Sequence, residues 1–293
     1  MEHTRQCISC GSGALVAYAA DPAPFLAERI PALQEVSTWL MRCRHCDLTF
    51  YNPRLGSKDL TALYQGYRDE TYQAMRERHE PWYTPEVNQS IGKGDQEVRA
   101  RTSHMRAMLA EHLDFQTVRA VLDYGGDRGQ YILDDFAAVR RVVFEISGVD
   151  PLPGVEGVSD PSILRPGDFD LILCNHVLEH LSYPADLVRQ LAALAGPCTR
   201  YYFEVPLETP FRGSLKHALR RAGLRFLPGL VHPWLRRSGK VPFQMHEHVN
   251  QFSLQSFGKL LEGQGFEVLG LEAVPVDTGW ARTHVLVCVA RVR

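Results

Sequence analysis

The sequence lacks several features that would place it at once. No uninterrupted apolar run approaches the ~18 residues of a membrane-spanning helix, and the start, Met1-Glu2-His3-Thr4-Arg5-Gln6, has no apolar stretch of the kind a signal peptide carries. A cytoplasmic protein is the expectation. An excess of charge of one sign is also missing. With 32 Lys and Arg against 34 Asp and Glu, the formal net charge is −2, which gives no general attraction to nucleic acid or an anionic membrane. Nucleic acid is therefore not an expected partner, and any charged partner has to be met by a local patch. There is no internal repeat or low-complexity tract. Cysteine is scarce and odd in number, seven in all, which excludes a full disulfide framework.

What is present fits a globular chain. The 293 residues are 45% hydrophobic and 23% charged, enough for a real core and for one large domain with an appendage. Four of the cysteines form two pairs with the same spacing, Cys7-Ile8-Ser9-Cys10 and Cys43-Arg44-His45-Cys46. Two intervening residues let both thiolates of a pair face one ion, and two pairs complete a tetrahedral Cys₄ zinc site. Four unrelated cysteines would not explain the duplicated spacing. A closed Cys₄ shell has no open position for a reacting water, so the zinc is expected to be structural. The loop from Gly11 to Arg42 is long enough to form strands of its own.

Along the chain the pattern suggests three parts. Residues 1–56 form the zinc module. Residues 57–113 read as a helical linker or lid, with Leu60, Leu63, Tyr64 and Tyr67 at helical spacing and Pro81 to Asp95 as a loose connection. Residues 114–293 alternate short apolar runs with turns and helices. Val118–Leu122, Val142–Phe144, Leu171–Cys174 and Tyr201–Val205 read as strands, with Leu187–Leu194 a helix between the last two; Val268–Val276 and His284–Val289 read as a closing hairpin. This rhythm implies an α/β fold with a mainly parallel sheet covered by helices.

Ligand-binding signals cluster at the ends of those strands. Val121-Leu122-Asp123-Tyr124-Gly125-Gly126-Asp127-Arg128-Gly129 places an acid and a glycine-rich turn after an apolar strand, where backbone can approach a ligand closely and the next helix is expected to begin. Glu145 ends the following strand at the distance where a carboxylate reaches ribose hydroxyls. Asp160 follows a short third strand, and Asn175 and His176 form the polar end of a fourth. The site then lies at the carboxyl ends of the strands.

These residues also carry a resemblance. The run Val121 to Gly129 resembles the first motif of class I S-adenosylmethionine (SAM) dependent methyltransferases, and Phe169 to Leu181, with His176-Val177-Leu178-Glu179-His180, is similar to their fourth. Cys43 to Arg54 followed by Leu63-Tyr64 and Tyr67, together with His246-Glu247-His248-Val249-Asn250-Gln251-Phe252-Ser253, Leu260-Leu261 and Gly265-Phe266, resembles zinc-knuckle methyltransferases of sugar and polysaccharide biosynthesis. The resemblance covers nearly the whole chain. It implies a Rossmann-like seven-stranded sheet with helices on both faces, plus the small Cys₄ zinc module. It further implies that Asp123, Gly125, Gly126 and Gly129 shape the methionine pocket, that Glu145 holds the ribose, that Asp160 faces the adenine, and that Asn175 and Tyr67 border the cofactor. Asp127 stands where the family has glycine, so its carboxylate would either attract the sulfonium or repel the methionine carboxylate.

Methyl transfer to a hydroxyl or carbon acid needs a base, and histidine suits that role near neutral pH. His248, with Glu247 beside it, is the first candidate; His176 and His180 compete. Tyr64, Tyr67 and Tyr72 suit a lid over the pocket. Residues 209–246 hold eight Lys or Arg and no acid, a basic amphipathic insertion suited to a diphosphate or to peripheral contact with an anionic membrane. The expected acceptor is a sugar hydroxyl or sugar carbon of a nucleotide sugar or a lipid-linked or surface glycan. Two other readings compete: an RNA-base methyltransferase with a zinc ribbon, and a non-catalytic scaffold with a degenerate SAM site.

Overall fold

The computed structural model describes residues 1–67, 69–208, 210–212, 242–279 and 281–293. Most of the basic insertion expected over 209–246, including Lys216, Arg220, Arg221, Arg225, Arg236, Arg237 and Lys240, lies outside the described residues. From the N-terminus the elements are β1 (Leu15–Pro22), α1 (Pro24–Arg29), β2 (Thr38–Cys43), β3 (Thr49–Asn52), α2 (Ser57–Tyr64), α3 (Glu70–His79), α4 (Pro85–Ser90) and α5 (Asp95–Ala110). They continue with β4 (Ala120–Tyr124), β5 (Arg140–Phe144), β6 (Glu156–Val158), β7 (Leu171–Asn175), α6 (Pro184–Ala192), β8 (Arg200–Pro206), β9 (Phe243–Met245), β10 (Asn250–Gln251), α7 (Leu254–Gly263), β11 (Phe266–Asp277) and β12 (Arg282–Val292). No helix among the described residues is long and apolar enough to cross a membrane.

Seven strands form one sheet in the order β11-β12-β8-β7-β4-β5-β6. The five from β8 to β6 are parallel, and β12 runs antiparallel between β8 and β11. Every residue of β7, Leu-Ile-Leu-Cys-Asn, is buried, as a central parallel strand covered on both faces requires. On one face Val121, Val143 and Leu173 meet Met105 and Leu109 of α5. On the other, Leu122, Ile172, Phe203 and Leu286 meet Val188 and Leu191 of α6 and Phe257 and Leu260 of α7. The strand order turns back between β4 and β7, and an open α/β sheet opens its ligand crevice at such a switch point.

Two local expectations need correction. The helix expected beside the glycine turn is a single 3₁₀ turn, Asp134–Phe136. The ten residues between Gly129 and Arg140 are too few for a full crossover helix, which needs a dozen or more with its connections. The stretch Pro81–Asp95 is not a bare connection either, since it contains α4, started by Pro85 and capped by Thr84.

The N-terminal residues build a second, five-stranded sheet, β10-β3-β2-β1-β9. Its two outer strands come from residues 243–251, so segments far apart in the chain complete it. Leu40, Tyr51, Phe243 and Met245 from this sheet pack with Phe25, Leu63 and Tyr72 from α1, α2 and α3. Arg54 ties the two sheets together. Its buried guanidinium donates to the carbonyls of Tyr51 (2.6 Å), Val249 (3.2 Å), Ser182 (2.9 Å) and Leu181 (3.2 Å), and to Asn250 Oδ1 (2.6 Å).

Candidate active site and metal centre

The four paired cysteines meet as expected. Cys7 Sγ lies 3.5 Å from Cys46 Sγ and Cys10 Sγ lies 3.6 Å from Cys43 Sγ, with all four ligand atoms within 4.8 Å of one another. An ion bonded at about 2.3 Å to four tetrahedral sulfurs sets them roughly 3.8 Å apart, so the cluster can hold zinc with little movement. Both turns have one design. The Gly11 N–H donates to Cys7 O at 2.9 Å and the Asp47 N–H to Cys43 O at 3.0 Å, and Gly11 and Asp47 both take left-handed backbone, at φ 72° and 63°, which glycine and aspartate tolerate best. The cluster sits on the start of α7, where Ser253 Oγ donates to Cys46 O at 3.3 Å and Ser9 Oγ to Ser256 O at 3.0 Å.

At the switch point, β4 delivers Asp123 and the glycine turn. A Cβ on Gly126 would lie 2.2 Å from the Asp123 carboxyl carbon, and one on Gly125, at φ 72°, would lie 2.6 Å from Val177 Cγ2. The turn therefore forms a cradle that only glycine permits. Asp123 is fully buried and neither carboxylate oxygen has a hydrogen-bond partner. Burial, only partly offset by Arg101 and reinforced by Glu145, pushes its carboxyl up to about 7. Asn175, at the end of β7, is also buried with both amide atoms unpartnered. Buried polar groups are normally satisfied, so these two residues and the cradle fit a polar ligand such as the SAM the resemblance implies.

The remaining expected cofactor residues are partly occupied. Glu145 accepts from the Asp127 N–H at 3.1 Å and the Ser147 N–H at 2.9 Å, which shapes the loop but leaves the carboxylate half-exposed. Asp160 is exposed and caps a 3₁₀ turn through the Ser162 N–H. Asp127 takes the left-handed backbone that glycine would, at φ 54°, and Lys93 Nζ stands 3.8 Å from its carboxylate. That lysine offsets the added negative charge.

A second cluster begins at His176, next to Val177. His176, at φ 54°, lies between Glu204 Oε1 (3.0 Å from Nε2) and Glu179 Oε1 (3.2 Å from Nδ1). Glu204 is also bonded to Arg101 at 2.5 Å. Tyr64 Oη lies 2.7 Å from His180 Nδ1, the rings of His180 and His248 meet edge to face with centroids 4.7 Å apart, and His248 Nδ1 lies 2.9 Å from Glu208 Oε1. Glu247 accepts from Arg76 at 2.8 Å and from Tyr72 Oη at 3.4 Å. Burial opposes charge on His248, yet Glu208, Glu179 and Glu247 outweigh it and raise the ring to about 10. Burial and the neighbouring His248 lower His180. Burial pushes the Glu179 carboxyl up, but His176, His180 and His248 hold it down at about 2.

The structure thus gathers His176, His180, Glu247 and His248 into one site, although they are far apart in sequence. Tyr67, expected over the cofactor, packs edge-on between Tyr64 and Tyr72, with centroids at 5.7 and 5.3 Å. Glu204, Glu208, Arg76 and Arg101 were not anticipated. Glu208 follows β8 with no motif around it, and the carboxylates that bring the two arginines into the site, Glu247 for Arg76 and Glu204 for Arg101, lie more than 100 residues away.

A doubly wound sheet with a reversal at β4 and β7, a glycine cradle and an orphaned acid defines a Rossmann-like cofactor-binding domain. The sequence model of a methyltransferase-domain family matches residues 96–271, more than half of the chain, and the protein belongs to that family. The ubiquinone biosynthesis O-methyltransferase of Xanthomonas euvesicatoria pv. vesicatoria (strain 85-10) is 27% identical over 117 residues, which is 36% of this chain and 49% of that protein. The chain thus spans about half the length of this curated relative. Among solved structures, the Burkholderia thailandensis 1,6-didemethyltoxoflavin-N1-methyltransferase, with bound S-adenosylhomocysteine, is 18% identical with a TM-score of 0.46, covering 76% of this chain and 90% of its own. The magnesium protoporphyrin IX methyltransferase of Synechocystis PCC 6803, also with bound S-adenosylhomocysteine, is 17% identical with a TM-score of 0.44, covering 70% and 87%.

Proposed function

We propose that this protein transfers a methyl group from SAM to a sugar hydroxyl or sugar carbon, on a nucleotide sugar or a lipid-linked or surface glycan. The observation that carries the reading is the adjacency of two features: the Gly125–Gly129 cradle, with Asp123 and Asn175 unpartnered beside it, abuts a cluster rich in histidine, carboxylate and tyrosine. SAM supplies an electrophilic methyl group on a sulfonium. The chain's task is to align the acceptor with that methyl, exclude water and remove the acceptor's proton. Asp123, Gly125, Gly126, Gly129 and Asn175 would line the methionine end, and Glu145 the ribose. Glu247, His248 and the facing His180 would handle the acceptor, with Arg76 and Tyr72 fixing Glu247 and Glu208 fixing His248. Tyr67, which is exposed, offers its ring to a sugar, while the hydroxyls of Tyr64 and Tyr72 are engaged by His180 and Glu247.

The resemblance to zinc-knuckle sugar methyltransferases supports the acceptor class, and incubating candidate nucleotide sugars with labelled SAM, followed by mass spectrometry, tests it. His248→Ala should lower turnover by at least ~100-fold while SAM affinity measured by calorimetry stays nearly constant; retained turnover removes the cluster from the reaction. The four cysteines would hold a structural zinc. The basic segment 209–246 is proposed to meet the diphosphate of the acceptor or the anionic membrane that carries it. Replacing Arg220 and Arg221 with Ala should weaken binding to such acceptors or to anionic liposomes, and unchanged binding to both would remove that role.

A further inference from the structure

The geometry points to a divalent-cation site formed by Glu179, His180 and His248, distinct from the cysteine cluster and facing the acceptor. The inference rests on the reading just given and specifies how that centre meets its substrate. One ligand atom from each of the three residues lies within 4.8 Å of the others. Ligands bonded at about 2.1 Å sit roughly 3.0–3.5 Å apart, so closure needs side-chain shifts of about 1 Å.

Three independent features argue for an ion and not merely for a hydrogen-bonded network. First, Glu179 has no exposed surface and neither carboxylate oxygen is in a hydrogen bond. Its Oε1 instead faces His176 Nδ1 at 3.2 Å and His180 Nε2 at 3.9 Å. Second, both candidate imidazoles are turned by an outer partner on the same ring nitrogen. Tyr64 Oη stands at His180 Nδ1 and the Glu208 carboxylate at His248 Nδ1, which leaves each Nε2 for an ion. Metal-bound histidines are oriented in this way, with a carboxylate or other acceptor on the second nitrogen. Third, the positions are fixed by Asn250, through its backbone and its side-chain amide. The Asn250 N–H donates to Glu179 O at 3.0 Å and Asn250 Nδ2 donates to Leu178 O at 2.9 Å and Leu181 O at 2.6 Å. The segment carrying His248 is thereby locked to the turn carrying Glu179 and His180.

Two imidazoles and one carboxylate suit Mn²⁺, Fe²⁺, Co²⁺ or Zn²⁺ better than the oxygen-seeking Mg²⁺ or Ca²⁺. Three ligands on one side leave positions open. An acceptor with two adjacent oxygens, a vicinal diol or a hydroxy ketone, can chelate there, and coordination lowers the pKa of a bound hydroxyl.

Mn²⁺ is the probe, because it competes poorly for a thiolate cluster. In the full chain carrying one zinc per molecule, electron paramagnetic resonance titration should show one Mn²⁺ bound per chain. Glu179→Gln and His180→Gln should each weaken it at least ~10-fold, and Glu208→Gln, which alters only the outer partner of His248, by about 10-fold. Zinc content and the calorimetric affinity for SAM should stay unchanged in all three. Mn²⁺ and Co²⁺ that remain free at millimolar concentration, or that bind equally to wild type and Glu179→Gln, would overturn the site. That result leaves methyl transfer standing so long as SAM binds, whereas absent SAM binding in wild type defeats the methyl-transfer reading itself.

Discussion

Asp123 lies near the end of a strand buried on both faces and meets no donor, so its charge is opposed by burial before any cofactor arrives. Its carboxyl is raised from 3.8 to about 7. Across that interval the folded protein keeps a proton that the unfolded chain has released, so this group's contribution to stability is greatest below pH 3.8, falls as pH rises and levels off above about 7. Glu179 and Glu204, both held at about 2, act the other way, but only as pH drops below their ordinary value of 4.5. Comparison with a variant lacking this carboxyl isolates its share. Asp123→Asn should flatten the decline in melting temperature from pH 4 to 7, and an unchanged slope would show that the carboxylate ionises freely. The neighbouring Gly126→Ala should weaken SAM binding at least ~10-fold, because its Cβ would fall 2.2 Å from the Asp123 carboxyl carbon. Gly13→Ala, with nothing within 4 Å, is the silent control. At this scale the sequence was readable wherever chemistry follows spacing, as with the cysteine pairs and the glycine turn. It was opaque at Glu208 and Arg101, whose roles come only from partners brought in by tertiary structure.

Among the elements, the strands of the large sheet were legible because central parallel strands are continuous apolar runs, Leu171 to Cys174 being the clearest. The short crossover after Gly129 and the helix α4 were not, since glycine content and a single proline do not reveal how many residues the fold allots to a connection. The segment His246–Gln251 was legible only as a motif. Its placement depends on β10 pairing with β3, Asn250 against Phe50 and Gln251 against Thr49, and on Arg54. That guanidinium has five acceptors, four of them main-chain carbonyls and none a carboxylate, and burial lowers its pKa to about 9. Arg54→Met would leave several buried carbonyls unpaired and should cost about 3 kcal/mol or more. Denaturant unfolding measures the loss, and turnover should fall further than stability alone explains because His248 is no longer held against His180. A loss below about 1 kcal/mol would mean that water replaces the guanidinium.

At the scale of the whole molecule, the four-cysteine module and the methyltransferase domain are not separable bodies. Cys7, Cys43, Cys46, Leu48 and Phe50 share one buried core with Leu122, Ile172, Phe203, Phe257 and Leu260, and the small sheet borrows β9 and β10 from beyond the large sheet's fifth strand. A division at residue 56, natural on the sequence, cuts through this shared core. A fragment of residues 57–293 would lack β1, β2 and β3, leaving β9 and β10 without partners and exposing apolar surface on α7. Each such exposed side chain costs about 1.5–3 kcal/mol, and a domain of this size is typically stable by only ~5–15 kcal/mol in total. The fragment is therefore expected to be unfolded or aggregated. The full chain should melt in a single calorimetric transition whose midpoint drops when the cysteine site is stripped of metal or when Cys43 is replaced by Ser, because the cysteine turns anchor the start of α7 through Ser253 and Ser9. Two resolved transitions, with only the smaller one sensitive to chelation, would show instead that the module folds alone and that His180 and His248 are positioned without it.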